Sequence, residues 1–138
     1  MSDAEQRSEQ EPPGKELYDA LLEKSPDAAI LYSWTQLERA VKDVVIRYGL
    51  QDEVRPFRSL YDTFALLVER RIVPGSMARA VQRLRTLRNQ VAHGMHTATV
   101  GEAVTYVDTA RTVIEVLEKL IALEDEGQTG TTNPSRSR

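Results

Sequence analysis

Cysteine is absent from the 138 residues. That excludes disulfides and thiolate metal ligation, and it leaves no signature of a redox compartment. Histidine is nearly absent: His93 and His96 could not close a structural zinc site without distant carboxylates, and the sequence calls for neither metal nor cofactor. No apolar run exceeds five residues (Ala28 to Tyr32, Phe64 to Val68), against the ~20 that a membrane-crossing helix needs. No segment alternates polar and apolar with period two, so no strand reading competes. There is no Gly-rich phosphate loop and no internal repeat. The opening MSDAEQRSEQEPPG is acidic and polar with no apolar centre, so it does not read as a secretory signal. A cytoplasmic protein without membrane segments is expected.

What is present suits one small domain. Hydrophobic residues make up 41% of the chain, enough for one core at this length with little stability to spare. The formal charge of −3 argues against a protein that coats nucleic acid through net charge. That average hides a local reversal. Between Glu69 and Arg88 stand six arginines (Arg70, Arg71, Arg79, Arg83, Arg85, Arg88) and one acid, Glu69. Such a run is either the solvated face of a surface helix or a phosphate-facing patch on an otherwise acidic protein.

Residues 1–14, rich in Glu, Gln, Ser and Pro, are expected to be disordered, and so are residues 126–138. The domain is expected over 15–125. It opens with a short helix to Lys24, with Leu17 and Leu21, and Tyr18 and Leu22, four apart. Ser25-Pro26-Asp27 restarts the chain, Ser25 as N-cap and Pro26 at the first helical position, where no donor is needed. The next helix carries one apolar stripe, Ile30, Trp34, Leu37, Val41, Val44 and Tyr48. Glu38 with Lys42 and Asp43 with Arg47 are i,i+4 pairs, and Gly49 supplies a left-handed stop. Trp34 and Tyr48, within the stripe, read as core rather than as base-stacking platforms. After a loop containing Pro56, Ser59 caps a helix through Arg71 with Leu60, Phe64, Leu67 and Val68 on its apolar side. Pro74-Gly75 ends that element. Ser76 starts the arginine-rich helix, striped by Met77, Val81, Leu84, Leu87 and Val91 and closed by Gly94. Thr99 and Glu102 form a capping-box pattern for a last helix bearing Ala103, Val107, Ala110, Ile114, Leu117 and Ile121. The expected fold is all-α: an up-and-down bundle of four main helices plus the short N-terminal one.

One string carries candidate chemistry: Leu87-Arg88-Asn89-Gln90-Val91-Ala92-His93-Gly94, at the end of the fourth helix. An Arg, a polar residue beside it and a His five positions after the Arg sit at a helix terminus. A Trp34/Leu37/Glu38-bearing helix comes before them and a long capped helix after. In these features the chain resembles the HEPN family of helical domains, over Leu17 to Leu123. Five residues at ~100° each set Arg88 and His93 about 140° apart on an ideal helix, so the helix must tighten, bulge or end between them for the two to share a face. Gly94 makes an ending at His93 natural. Arg88 flanks the core stripe beside Leu84 and Val91 and needs a partner there. Glu38 flanks its own stripe in the same way, so an Arg88–Glu38 ion pair is the structural alternative.

The resemblance implies a metal-independent endoribonuclease of stress response, toxin–antitoxin or defence systems, with the Arg and His of two subunits meeting across a homodimer cleft. On that chemistry His93 takes the proton of a ribose 2′-hydroxyl. Arg88 stabilises charge developing on the scissile phosphate, and Asn89 orients the histidine or contacts the phosphate. Arg85, Arg83 and His96 extend the RNA-binding face, and Glu38 supports the site. The resemblance also suggests a neutralising partner, a nucleotidyltransferase-like antitoxin. The rival reading is a non-catalytic helical module that dimerises and recruits a partner. There His93 simply caps the last helical carbonyls and Arg88 serves in an ion pair.

Overall fold

The computed structural model describes residues 15–54 and 59–130; the tail expected at 1–14, the end of the other at 131–138, and the loop at Pro56 lie outside them. Five helices follow in order: α1 (Lys15–Lys24), α2 (Pro26–Arg47), α3 (Leu60–Glu69), α4 (Gly75–Ala92) and α5 (Val100–Gly130), with a 3-10 turn at Gln51–Glu53 between α2 and α3. The described residues contain no strand and no helix long and apolar enough to cross a membrane.

Helix starts follow the capping residues. Ser25 Oγ accepts from the Ala28 amide at 3.2 Å and Ser59 Oγ from the Asp62 amide at 3.1 Å. At α5 the capping box closes in both directions: the Glu102 amide donates to Thr99 Oγ1 at 3.1 Å and the Thr99 amide to Glu102 Oε1 at 3.0 Å. α4 begins one residue ahead of the expected Ser76. Pro74 is its N-cap, extended at φ −72° and ψ 148° and offering no side-chain bond, and its carbonyl takes the Met77 amide at 3.1 Å.

Three helices end in the same way. Gly49, Arg71 and Gly94 each take a positive φ, of 68°, 59° and 68°. The amides that follow reach back five residues, Leu50 to Val45 O at 2.9 Å, Ile72 to Leu67 O at 2.9 Å and Met95 to Gln90 O at 2.8 Å, which is the Schellman arrangement. α3 therefore stops at Glu69, two residues short of the expected Arg71. Arg71 bears the left-handed turn with a β-carbon that disfavours it by about 1–2 kcal/mol, and the turn lets Val73 bury itself in the core.

The core runs between α2 and α5, closed by α3 and α4. Ile30, Leu37, Val41 and Val44 of α2, Phe64 and Leu67 of α3, Val81 of α4 and Leu117 of α5 are fully buried. Trp34 is buried as the stripe predicts, and half-buried Tyr48 donates its hydroxyl to Leu120 O at 3.2 Å. The Ala98 amide, just before α5, donates to Asp27 Oδ1 at the start of α2 at 2.7 Å, while Tyr48 meets Leu120 beyond the end of α2. α2 and α5 thus run parallel. Strict alternation over the four longer helices would set them antiparallel. Alternation is interrupted because α3, with ten residues, spans only about 15 Å and cannot run the length of α2. It turns the chain as a corner, and α4 and α5 then pack antiparallel, Tyr106 donating to Leu84 O at 3.0 Å.

Two expectations need correction. The i,i+4 pairs of α2 are not among the ion pairs of the described residues: Arg47 reaches across to Asp125 of α5 instead of back to Asp43. α5 also continues past residue 125, where the domain was expected to end, to Gly130, even though Gly127 within it costs about 1 kcal/mol relative to Ala.

Candidate functional site

His93 is the C-cap of α4, its amide donating to Asn89 O at 3.0 Å. Gly94 turns the backbone away at once, into space where an added β-carbon would meet nothing within 4 Å. The imidazole is left exposed, with no hydrogen bond to its ring among the described residues. It lines a shallow groove of about 330 Å³ together with Gln82, Arg85, Thr86, Asn89, Gln90 and Met95. Arg85, Asn89 and His93 succeed one another at four-residue steps, each about 40° round and 6 Å along the helix, so they form one ridge.

Arg88 does not line that groove. Its Nη1 donates to Asn89 Oδ1 at 3.1 Å, and its Nε is buried without a hydrogen-bond partner. The guanidinium lies within electrostatic reach of Tyr106. Burial pushes that phenol above its ordinary range, Arg88 opposing the rise and Glu38 adding to it. The Arg88–Glu38 ion pair is not among those of the described residues. Asn89, the adjacent residue, meets the guanidinium instead, and exposed Glu38 lines a separate groove of about 620 Å³ between α2, the 3-10 turn and α3. That groove is larger than the one at His93 but holds no histidine and none of the motif. Within one protomer, then, Asn89 links Arg88 to the His93 groove, and Arg88 lines none of the three grooves described among these residues.

The remaining candidates divide among three places. Arg85 is half-buried, with its guanidinium carbon 5.9 Å from the centroid of the Tyr61 ring on α3. Arg83 is exposed and lines a groove of about 570 Å³ between α4 and α5, with Tyr106 and Glu102. His96 Nε2 stands 3.0 Å from both carboxylate oxygens of Glu102, so its ring fastens the α4–α5 connection to the start of α5 instead of joining His93. The Thr99 amide, and after it His96, hold the Glu102 carboxyl below its ordinary range. Asp27 fastens the same connection from α2. No group of three or more His, Asp or Glu side chains that could hold a metal occurs among the described residues.

Sequence reasoning passed over Tyr61 and Asp27. Asp27 stood in the Ser-Pro-Asp start signal, where an acid is commonplace, and nothing local reveals that its acceptor serves an amide 71 residues away. Tyr61 borders the α3 stripe, about 20° from Val68, and reads as core edge, while its partner Arg85 is on another helix.

No curated protein and no solved structure gives a significant match. The family model of a domain of unknown function, DUF4145, matches residues 15–130, which takes in all five helices; the chain belongs to that family.

Proposed function

We propose that this chain is a HEPN-type helical domain acting as a homodimeric, metal-independent endoribonuclease in stress response, toxin–antitoxin or defence, with RNA as substrate. One observation carries the reading: the His93 ring is exposed and unengaged over a polar groove whose other members include Asn89 and Arg85. A histidine retained only to cap its helix would turn its ring onto the last carbonyls. Here the backbone amide of His93 takes Asn89 O and the ring is left for other use.

His93 accepts the proton of a ribose 2′-hydroxyl as its oxygen bonds to the adjacent phosphorus. The bond from phosphorus to the 5′ oxygen breaks, that oxygen takes a proton from solvent water, and a 2′,3′-cyclic phosphate remains; His93 then releases its proton to solvent. Charge on the phosphoryl oxygens calls for a guanidinium. Because Arg88 does not line the groove of His93 in its own protomer, Arg88 of a second subunit supplies it, positioned by its own Asn89. Met95, 77% exposed where the corresponding Leu50 after α2 is 7% exposed, offers that subunit an apolar contact beside His93. A nucleotidyltransferase-like antitoxin is the partner this reading calls for.

Incubation of the full chain with single-stranded RNA in EDTA tests the reading. Cleavage to cyclic-phosphate ends that disappears in Arg88→Ala and His93→Ala, with both variants still folded, supports it. The buried Nε of Arg88 favours a second reading, a non-catalytic dimerisation module with Arg88 as a structural residue. Absence of cleavage, with Arg88→Ala merely less stable, selects that one.

A further inference from the structure

Of the six arginines between Glu69 and Arg88, Arg70 is paired with Glu53 and Arg88 is bonded to Asn89. Arg85 is held differently. Its guanidinium lies over the Tyr61 ring, and none of the ion pairs of the described residues includes it. A cation–π contact uses no N–H donor of the guanidinium, and it limits the rotamer freedom that the side chain would otherwise lose on binding. An arginine that keeps its charge, orientation and donors on the wall of a polar groove suits a phosphate.

We infer that Arg85, laid on the ring of Tyr61, is a phosphate subsite for single-stranded RNA along α4, and that Tyr61 is its positioning residue. The inference rests on the RNA-directed reading of the His93 groove and adds a register to it. Arg85 and His93 are eight residues apart, about 12 Å along the helix. A stacked strand rises about 3.4 Å per nucleotide, so the phosphate on Arg85 flanks the bond at His93 by some three nucleotides when stacked, and fewer when extended. Arg85 thus grips a neighbouring part of the strand and not the scissile phosphate. It contributes to binding of an oligonucleotide and leaves a dinucleotide unaffected.

The test uses the full-length His93→Ala protein, which keeps the RNA intact, with a labelled single-stranded oligoribonucleotide and, separately, a dinucleotide. Dissociation constants are read across a series of salt concentrations. Arg85→Gln lowers the salt slope for the oligonucleotide by about 0.7, the share of one phosphate contact on a single strand, and leaves dinucleotide binding alone. Tyr61→Ala weakens oligonucleotide binding about 2- to 5-fold, as loss of an exposed cation–π contact does, and Tyr61→Phe restores it. Thermal melts accompany each variant, and Arg85→Gln keeps the test decisive should Tyr61→Ala unfold. An unchanged slope in Arg85→Gln, equal losses on oligonucleotide and dinucleotide, or no binding of RNA at all overturns the subsite. Cleavage by the unmutated chain is followed in parallel. His93-dependent cleavage with an unchanged slope sinks only the subsite, whereas a slope that responds to Arg85 without any cleavage sinks only the nuclease.

Discussion

Arg88 donates from Nη1 to Oδ1 of Asn89, the next residue, at 3.1 Å, while its Nε stays buried and unpaired. The guanidinium is therefore only partly satisfied where it lies, and an apolar substitution there distinguishes a functional arginine from a structural one. Removing a buried, incompletely paired charge in favour of an apolar chain of similar length is often neutral or stabilising. Arg88→Met is expected to keep or raise the melting temperature while lowering RNA cleavage about 100-fold or more, the usual scale for loss of a transition-state charge stabiliser. A variant that melts earlier and cleaves normally would assign Arg88 to the fold alone.

Subunit mixing examines the composite site. If the proposed site is composite, Arg88→Ala and His93→Ala homodimers are expected to be inactive each alone, and co-refolding them to yield a heterodimer with one intact pairing, Arg88 from one chain and His93 from the other. Activity returns on mixing if the site spans two subunits and stays absent if it lies within one. Sedimentation of the unmutated chain is expected near twice 15.6 kDa.

The capping box at α5 makes stability depend on pH through Glu102. Its carboxyl titrates below the ordinary 4.5 in the folded chain, so the folded state favours the ionised form. The stabilisation is complete above pH 4.5 and is lost progressively as pH falls from there through the lower folded value. Glu102→Gln should flatten that part of a plot of urea midpoint against pH and lower the plateau at neutrality. Thr99→Ala should cost about 1 kcal/mol at neutral pH by removing the cap. A Glu102→Gln curve parallel to that of the unmutated chain would refute the assignment.

The left-handed stops at Gly94 and Arg71 predict opposite signs for two simple substitutions. Gly94→Ala meets no atom within 4 Å, so its cost is confined to the backbone at φ 68°, about 1–2 kcal/mol. Arg71→Gly relieves the same strain at φ 59° and should gain up to about 1 kcal/mol after the extra freedom of glycine in the unfolded chain is subtracted. Denaturant midpoints measure both. Equal signs would show that side-chain contacts, not backbone conformation, dominate at these turns.

How much could be read beforehand follows from the range of each interaction. Caps and stops are local: Ser25, Ser59 and the Thr99–Glu102 box act within three residues, and Gly49 and Gly94 end helices where the sequence marks them. Buried stripes are nearly as legible, since period alone sets which side of α2 faces inward. Arg71 shows the limit, because nothing in its neighbours forecasts a left-handed arginine without the burial of Val73 that follows. Contacts between distant residues were illegible in detail. Glu38 is a structural alternative as partner of Arg88 because both flank a stripe, yet flanking positions on different helices leave the approach undetermined, and it is Asn89 that bonds the guanidinium. His96 was grouped with His93 by proximity in the chain, whereas the turn at Gly94 sends the two rings to different neighbours.

Because α2 and α5 lie parallel, the bonds that tie them join residues far apart along the chain: 71 for Asp27 and Ala98, 72 for Tyr48 and Leu120, 78 for Arg47 and Asp125. Bringing such ends together costs about 2 kcal/mol more entropy than closing the short connection between α4 and α5. Refolding should therefore assemble the local helix pairs first and wait on the arrival of the C-terminal helix, so that a nascent chain gains its core only once that last segment has been made.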